Sequence, residues 1–90
     1  GLALRAYPNP FNPTVALAYE LAEDGRVRIG IYDVSGRLVR KLFDGPRNAG
    51  SHRAIWNGRD ESGRSAAAGV YFIRVEVLGK TDARKIVLVR

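Results

Sequence analysis

The sequence predicts an all-β domain, an antiparallel sandwich of about seven short strands. Three observations carry this. Apolar residues alternate with polar ones at period two along most of the chain, turn-forming residues return about every ten positions, and no stretch of helical length shows an apolar stripe at 3.6-residue spacing. With 90 residues and 46% hydrophobic content, residues 1–90 make a single domain with enough apolar material for one core.

Leu2 to Tyr7 opens the succession as a first strand. In the second, Val15, Leu17, Tyr19 and Leu21 share one face, with Ala16, Ala18 and Glu20 on the other. Glu23-Asp24-Gly25 turns the chain, and Val27, Ile29 and Ile31 then alternate with Arg26, Arg28 and Gly30 in a half-buried third strand. Asp33-Val34-Ser35-Gly36 suits a tight hairpin in which Gly36 takes the positive φ of a bulged type I turn, and the return strand covers Arg37 to Phe43. Asp44-Gly45-Pro46 and Asn48-Ala49-Gly50 are expected to break the chain into a loop. His52, Ala54 and Trp56 alternate with Arg53 and Ile55 in a fifth strand, followed by a polar loop from Asn57 to Gly63 and small residues from Ser65 to Gly69. In the strongest strand, Val70 to Leu78, residues Tyr71, Ile73, Val75 and Val77 share a face. Gly79 to Asp82 turns it, and Ala83 to Val89 closes the domain. This succession predicts the immunoglobulin-like type of sandwich.

Composition narrows the chemistry. Without cysteine there is no disulfide framework, thiolate zinc site or cysteine nucleophile. The single imidazole, His52, sits in strand alternation with Ala54 and Trp56, which reads as a partly buried structural histidine and not as part of a Ser-His-Asp arrangement. All nine acids lie in turns or point outward from strands, as Glu20 and Glu76 do, so no pair is placed for glycoside hydrolysis. The loop Asn57 to Gly63 gathers oxygen ligands but lacks the acid spacing of a calcium loop. Asn57 and Asp60 are expected to bond nearby backbone N–H groups and shape the turn. The sequence therefore predicts no catalysis, no cofactor and no metal.

The net charge of +6 and pI near 10.3 raise anionic partners, but the cations are spread along the chain and 12 of the 15 are Arg. Arg26, Arg28, Arg53 and Arg74, with Tyr32 or Tyr71 close by, read as a solvated outer sheet face that discourages edge pairing. An oligonucleotide surface is the weaker reading, and no nucleic-acid partner is expected. Anionic lipopolysaccharide fits the charge, and the domain is expected to be a monomer.

Tyr7-Pro8-Asn9-Pro10-Phe11-Asn12-Pro13-Thr14 is the least ordinary segment. Three prolines in six residues restrict φ, remove donors and hold their predecessors extended, so this is a stiff link or a sheet edge. Asn12-Pro13-Thr14 is no glycosylation acceptor, because proline stands in the middle.

Tyr7 to Pro13, Tyr32 to Val39, Trp56 to Asp60, Ser65 to Tyr71 and Lys85 to Arg90 together resemble, in order and over nearly the whole chain, the type A C-terminal sorting domains of the bacterial type IX secretion system. The resemblance implies an immunoglobulin-like domain at the C-terminal end of a longer secreted protein, often a hydrolase, in the Bacteroidetes and their relatives. It implies recognition by an outer-membrane translocon, common cleavage by a sortase-like peptidase, and release or attachment of the cargo to surface lipopolysaccharide. The matched recognition positions are Pro8, Asn9 and Pro10, then Gly69 and Tyr71, then Lys85. Asn57 departs from the Asp of many relatives. If the last strand lies at a sheet edge, a partner is expected to bind it by strand addition. The Tyr-Asp, Trp-Asn-Gly and Gly-Val-Tyr segments are also similar to the immunoglobulin-like domain of the flagellar hook-capping protein, an assembly module. A carbohydrate-binding module of a glycosidase ranks behind both, since it calls for a planar row of exposed aromatics.

Overall fold

The computed structural model describes Ala3 to Arg90; Leu2, assigned to the first strand by its pattern, lies outside the described residues. Seven strands follow one another: β1 (Ala3–Tyr7), β2 (Val15–Leu21), β3 (Gly25–Asp33), β4 (Leu38–Arg47), β5 (Gly50–Trp56), β6 (Gly69–Val77) and β7 (Lys80–Leu88). They form a three-stranded sheet, β1-β2-β5, and a four-stranded sheet, β4-β3-β6-β7, with every pairing antiparallel. The expected immunoglobulin-like sandwich is the observed one.

Period-two alternation decides what enters the space between the sheets. Val15, Leu17, Tyr19 and Leu21 from β2 meet Val27, Ile29 and Ile31 from β3 and Tyr71, Ile73, Val75 and Val77 from β6, all buried. Trp56, Ile86, Leu88 and Phe11 fill one end. No polar or charged residue is buried among the described residues, so the core needs no internal hydrogen-bond network. His52 is half-buried as expected, its ring stacked on Tyr19 at 5.4 Å with Nε2 against the Asn48 carbonyl at 2.6 Å.

Three local expectations are corrected. Asp44-Gly45-Pro46 does not break the chain: β4 runs through it to Arg47. β4 is a sheet edge, where Pro46 can pair opposite Arg26 without an outward N–H. Gly45 is accommodated because a Cβ there would stand 3.3 Å from the Phe43 ring. The final hairpin is also tighter than Gly79 to Asp82. Val77 pairs with Lys80, leaving Leu78 and Gly79 as a two-residue turn with φ of 52° and 75°.

Finally, the four arginines do not share a face. Arg26, Arg28 and Arg74 stand on the outer face of the four-stranded sheet, whereas Arg53 lies on β5 across the sandwich. Tyr71 turns into the core, and Tyr32 stays outside with the Arg74 guanidinium 5.3 Å from its ring centre. Strand order, which periodicity does not encode, separates these residues.

Candidate functional site

Between β1 and β2 the proline segment leaves the three-stranded sheet and crosses to the edge of the other. Pro10 keeps Asn9 out of helical geometry, and the chain bends at Pro8-Asn9-Pro10 beside β7. The Asn9 amide nitrogen donates to the Lys85 carbonyl at 2.9 Å, and its oxygen accepts from the Val87 amide at 3.0 Å. One side chain thus occupies a donor and an acceptor of the strand edge, as a neighbouring backbone would. Phe11 continues the pairing in parallel: its N–H donates to the Val87 carbonyl and its C=O accepts from Val89, each at 2.9 Å.

β7 is an edge strand, which meets the condition for strand addition, but its C-terminal half is already covered. Further along, the Asp82 carboxylate accepts from the Ala83 N–H at 2.8 Å and the Arg84 guanidinium donates to the Ala83 carbonyl at 2.9 Å. Strand addition onto Lys85–Val89 would require displacing Asn9 and Phe11. That corrects the picture of a bare edge.

The expected recognition residues are brought together. Gly69 pairs with Leu88 and Tyr71 with Ile86, while Asn9 bridges to Lys85 and Val87. Pro8, Asn9, Pro10 and Lys85 are exposed, Gly69 is half-buried and Tyr71 is buried. Tyr71 lies within the core: its hydroxyl donates to the Ala67 carbonyl at 2.5 Å, and its ring meets Trp56 edge-on at 5.2 Å. Burial pushes its phenol above the ordinary tyrosine range, with Arg90 opposing the shift and Asp33 adding to it.

Three participants escaped the sequence reading. Phe11 is 1% exposed and packs on Trp56 at 5.7 Å, anchoring the proline segment to the core. A lone aromatic between two Asn-Pro pairs was the available signal. Arg90 donates through Nε and Nη2 to the Ala66 carbonyl at 3.2 and 2.7 Å, tying the chain end to the small-residue segment. Gly58, at φ +78°, lies so close under Pro13 that a Cβ would come within 2.9 Å of the Pro13 carbonyl oxygen.

The loop from Asn57 to Gly63 is shaped as expected. Asn57 Oδ1 accepts from the Arg59 N–H, and Asp60 Oδ1 accepts from Ser62 and Arg64 at 2.9 and 3.0 Å. Its neighbour Glu61 joins it to β4, donating its N–H to the Val39 carbonyl and accepting from Lys41. Among the described residues no three His, Cys, Asp or Glu side chains gather at metal-holding distance. All five stretches that carry the resemblance thus meet around one end of the sandwich.

Solved structures of the same fold include dimeric latent PorU from Porphyromonas gingivalis, at 22% identity and a TM-score of 0.78. PorZ of the same organism, described as an essential bacterial surface component of the type-IX secretion system, matches at 24% identity and 0.70. FlgD from P. aeruginosa matches at 24% and 0.65. Each match covers 98% of this chain, but it spans 9% of the PorU chain, 12% of the PorZ chain and 76% of the FlgD chain. No curated protein sequence matches it. The family profile of the FlgD Ig-like domain matches residues 11–80, and on that match the chain belongs to the FlgD Ig-like domain family.

Proposed function

We propose that this domain is a non-catalytic sorting signal at the C-terminal end of a longer secreted protein, read by the type IX outer-membrane translocon. The supporting observation is the union of its two signal elements. Pro8-Asn9-Pro10 and the Lys85 strand, 76 positions apart, form one rigid surface through the Asn9 side chain. A translocon that must recognise a folded passenger needs such a preformed surface, because ordering a flexible signal would reduce its affinity. The exposed positions Pro8, Asn9, Pro10 and Lys85 make the contact, and Gly69 and Tyr71 hold the strand beneath. A sortase-like peptidase acts after export, leaving the cargo, of the hydrolase kind, at the cell surface or released. The domain works as a monomer without a cofactor, and its +6 charge favours approach to anionic lipopolysaccharide.

The test fuses residues 1–90 behind a signal peptide and a fluorescent reporter in a type IX-competent bacterium, with a translocon mutant as control. Translocon-dependent export is expected, and Lys85→Ala, an exposed substitution, should bring export down towards the mutant level while the domain stays folded. Periplasmic retention of a folded fusion would overturn the sorting reading. The second reading, an assembly module of the hook-capping kind, is favoured by membership of the FlgD Ig-like family.

A further inference from the structure

The outer face of the four-stranded sheet carries a dish that neither the fold nor the sorting signal uses. In the middle of β3, Gly30 lacks a side chain, and a Cβ there would meet Tyr32 Cε1 at 3.0 Å and Leu38 Cδ1 at 3.1 Å. The Tyr32 ring and Leu38 thus close over the glycine backbone and leave a cavity of about 260 Å³. Around it stand Arg28, Lys41 and Arg74 on one count of charge, with Asp44 and Glu76 on the other.

The charges are not equivalent. Arg28 is shared between Asp44 at 3.9 Å and Glu76 at 3.5 Å, and Arg26 is held by Asp44 at 2.9 Å. Among the described residues, Lys41 and Arg74 have no carboxylate within ion-pair distance, and both are exposed. Lys41 and Arg74 are thus cations without a carboxylate partner, Arg74 lying over the half-buried Tyr32 ring at 5.3 Å, and two carboxylates lie just beyond.

The geometry points to a binding site for an acidic saccharide, one sugar ring bearing a carboxylate or phosphate. The apolar face of a pyranose ring packs on Leu38, which is half exposed in the cavity wall, its anionic group meets Lys41 and Arg74, and its hydroxyls donate to Asp44 and Glu76. The cavity is smaller than the ~300 Å³ at which sites for drug-sized ligands begin, which suits a single ring. A nucleic-acid strand fits less well. Its backbone offers acceptors only, so Asp44 and Glu76 would repel it, and its affinity grows from a row of stacking platforms along a cationic groove. This proposal is independent of the sorting reading: saccharide binding and export are measured separately, and either can fail alone.

Titrating the full chain with trigalacturonate by two-dimensional ¹H–¹⁵N NMR should shift the amides of Gly30, Tyr32, Lys41 and Arg74 at millimolar ligand. Replacing Lys41 and Arg74 together by Gln should weaken binding by about tenfold or more, since both charged donors to the anionic group are removed. An otherwise unchanged spectrum shows that the variant is folded. Added salt should weaken binding in the parent chain. Three results would overturn the assignment: no shifts around Gly30, equal shifts with neutral maltotriose, or tighter binding of oligothymidylate to the same residues.

Discussion

Asn9 is an exposed side chain that behaves as a length of backbone. Its amide spans the Lys85 carbonyl and the Val87 N–H, and alanine has nothing to offer either. Asn9→Ala should cost about 1–2 kcal/mol, read as a lower denaturant midpoint with an unchanged slope. Asp33 plays a comparable part in the β3–β4 hairpin. The Ser35 hydroxyl at 2.6 Å, with the Arg37 and Ser35 amides and the Arg37 guanidinium, holds its carboxyl down to about 2 from an ordinary 3.8. Because the folded-state value is depressed, this contribution to stability is complete above pH 3.8 and is lost as pH falls through about 2. Asp33→Asn should flatten the acid limb of the stability profile over that window. Its motif was legible in sequence, since Asp-x-Ser-Gly between two alternating runs specifies a turn chemically.

The elements divide into those that follow their own sequence and those that follow their neighbours. β2, β3 and β6 appear where alternation puts them, since one-residue slips would turn their apolar sides to water. β4 is longer than its sequence implies because pairing with β3 outweighs the turn chemistry of Asp44-Gly45-Pro46. The β6–β7 turn also runs against local preference, placing Leu78 at φ 52°, a left-handed position that asparagine tolerates better. Leu78→Asn creates an Asn-Gly turn at a residue already 55% exposed, and should raise stability by up to about 1 kcal/mol. A higher melting temperature checks this; an unchanged one would mean that packing of Leu78 over Gly25 matters more than its backbone strain.

At the scale of the molecule, the proposed recognition surface and the core share a strand. Removing Lys85 to Arg90 takes Ile86 and Leu88 out of the core, and with them the partners of Asn9, Phe11 and Gly69. Burial of two such side chains is worth about 3–6 kcal/mol, a large part of the stability of a domain this small. That deletion should unfold the domain, seen as lost amide dispersion and cooperative melting. Loss of export on truncation would therefore report folding as well as recognition, whereas Lys85→Ala changes the surface alone.

The sequence by itself determined the sandwich, the inward set of each central strand and the caps of the two polar turns. These rest on interactions between residues close along the chain, or on a period that each strand carries within itself. It also marked Pro8, Asn9, Pro10, Gly69, Tyr71 and Lys85 through their resemblance to sorting domains. Only the tertiary structure decided that Asn9 lies on the Lys85 strand, that Phe11 is a core anchor, that Arg53 stands apart from Arg74, and that Tyr32, Lys41 and Arg74 surround Gly30. The reason is that alternation assigns a residue to a face and leaves the order of strands open, and contacts between distant segments depend on that order.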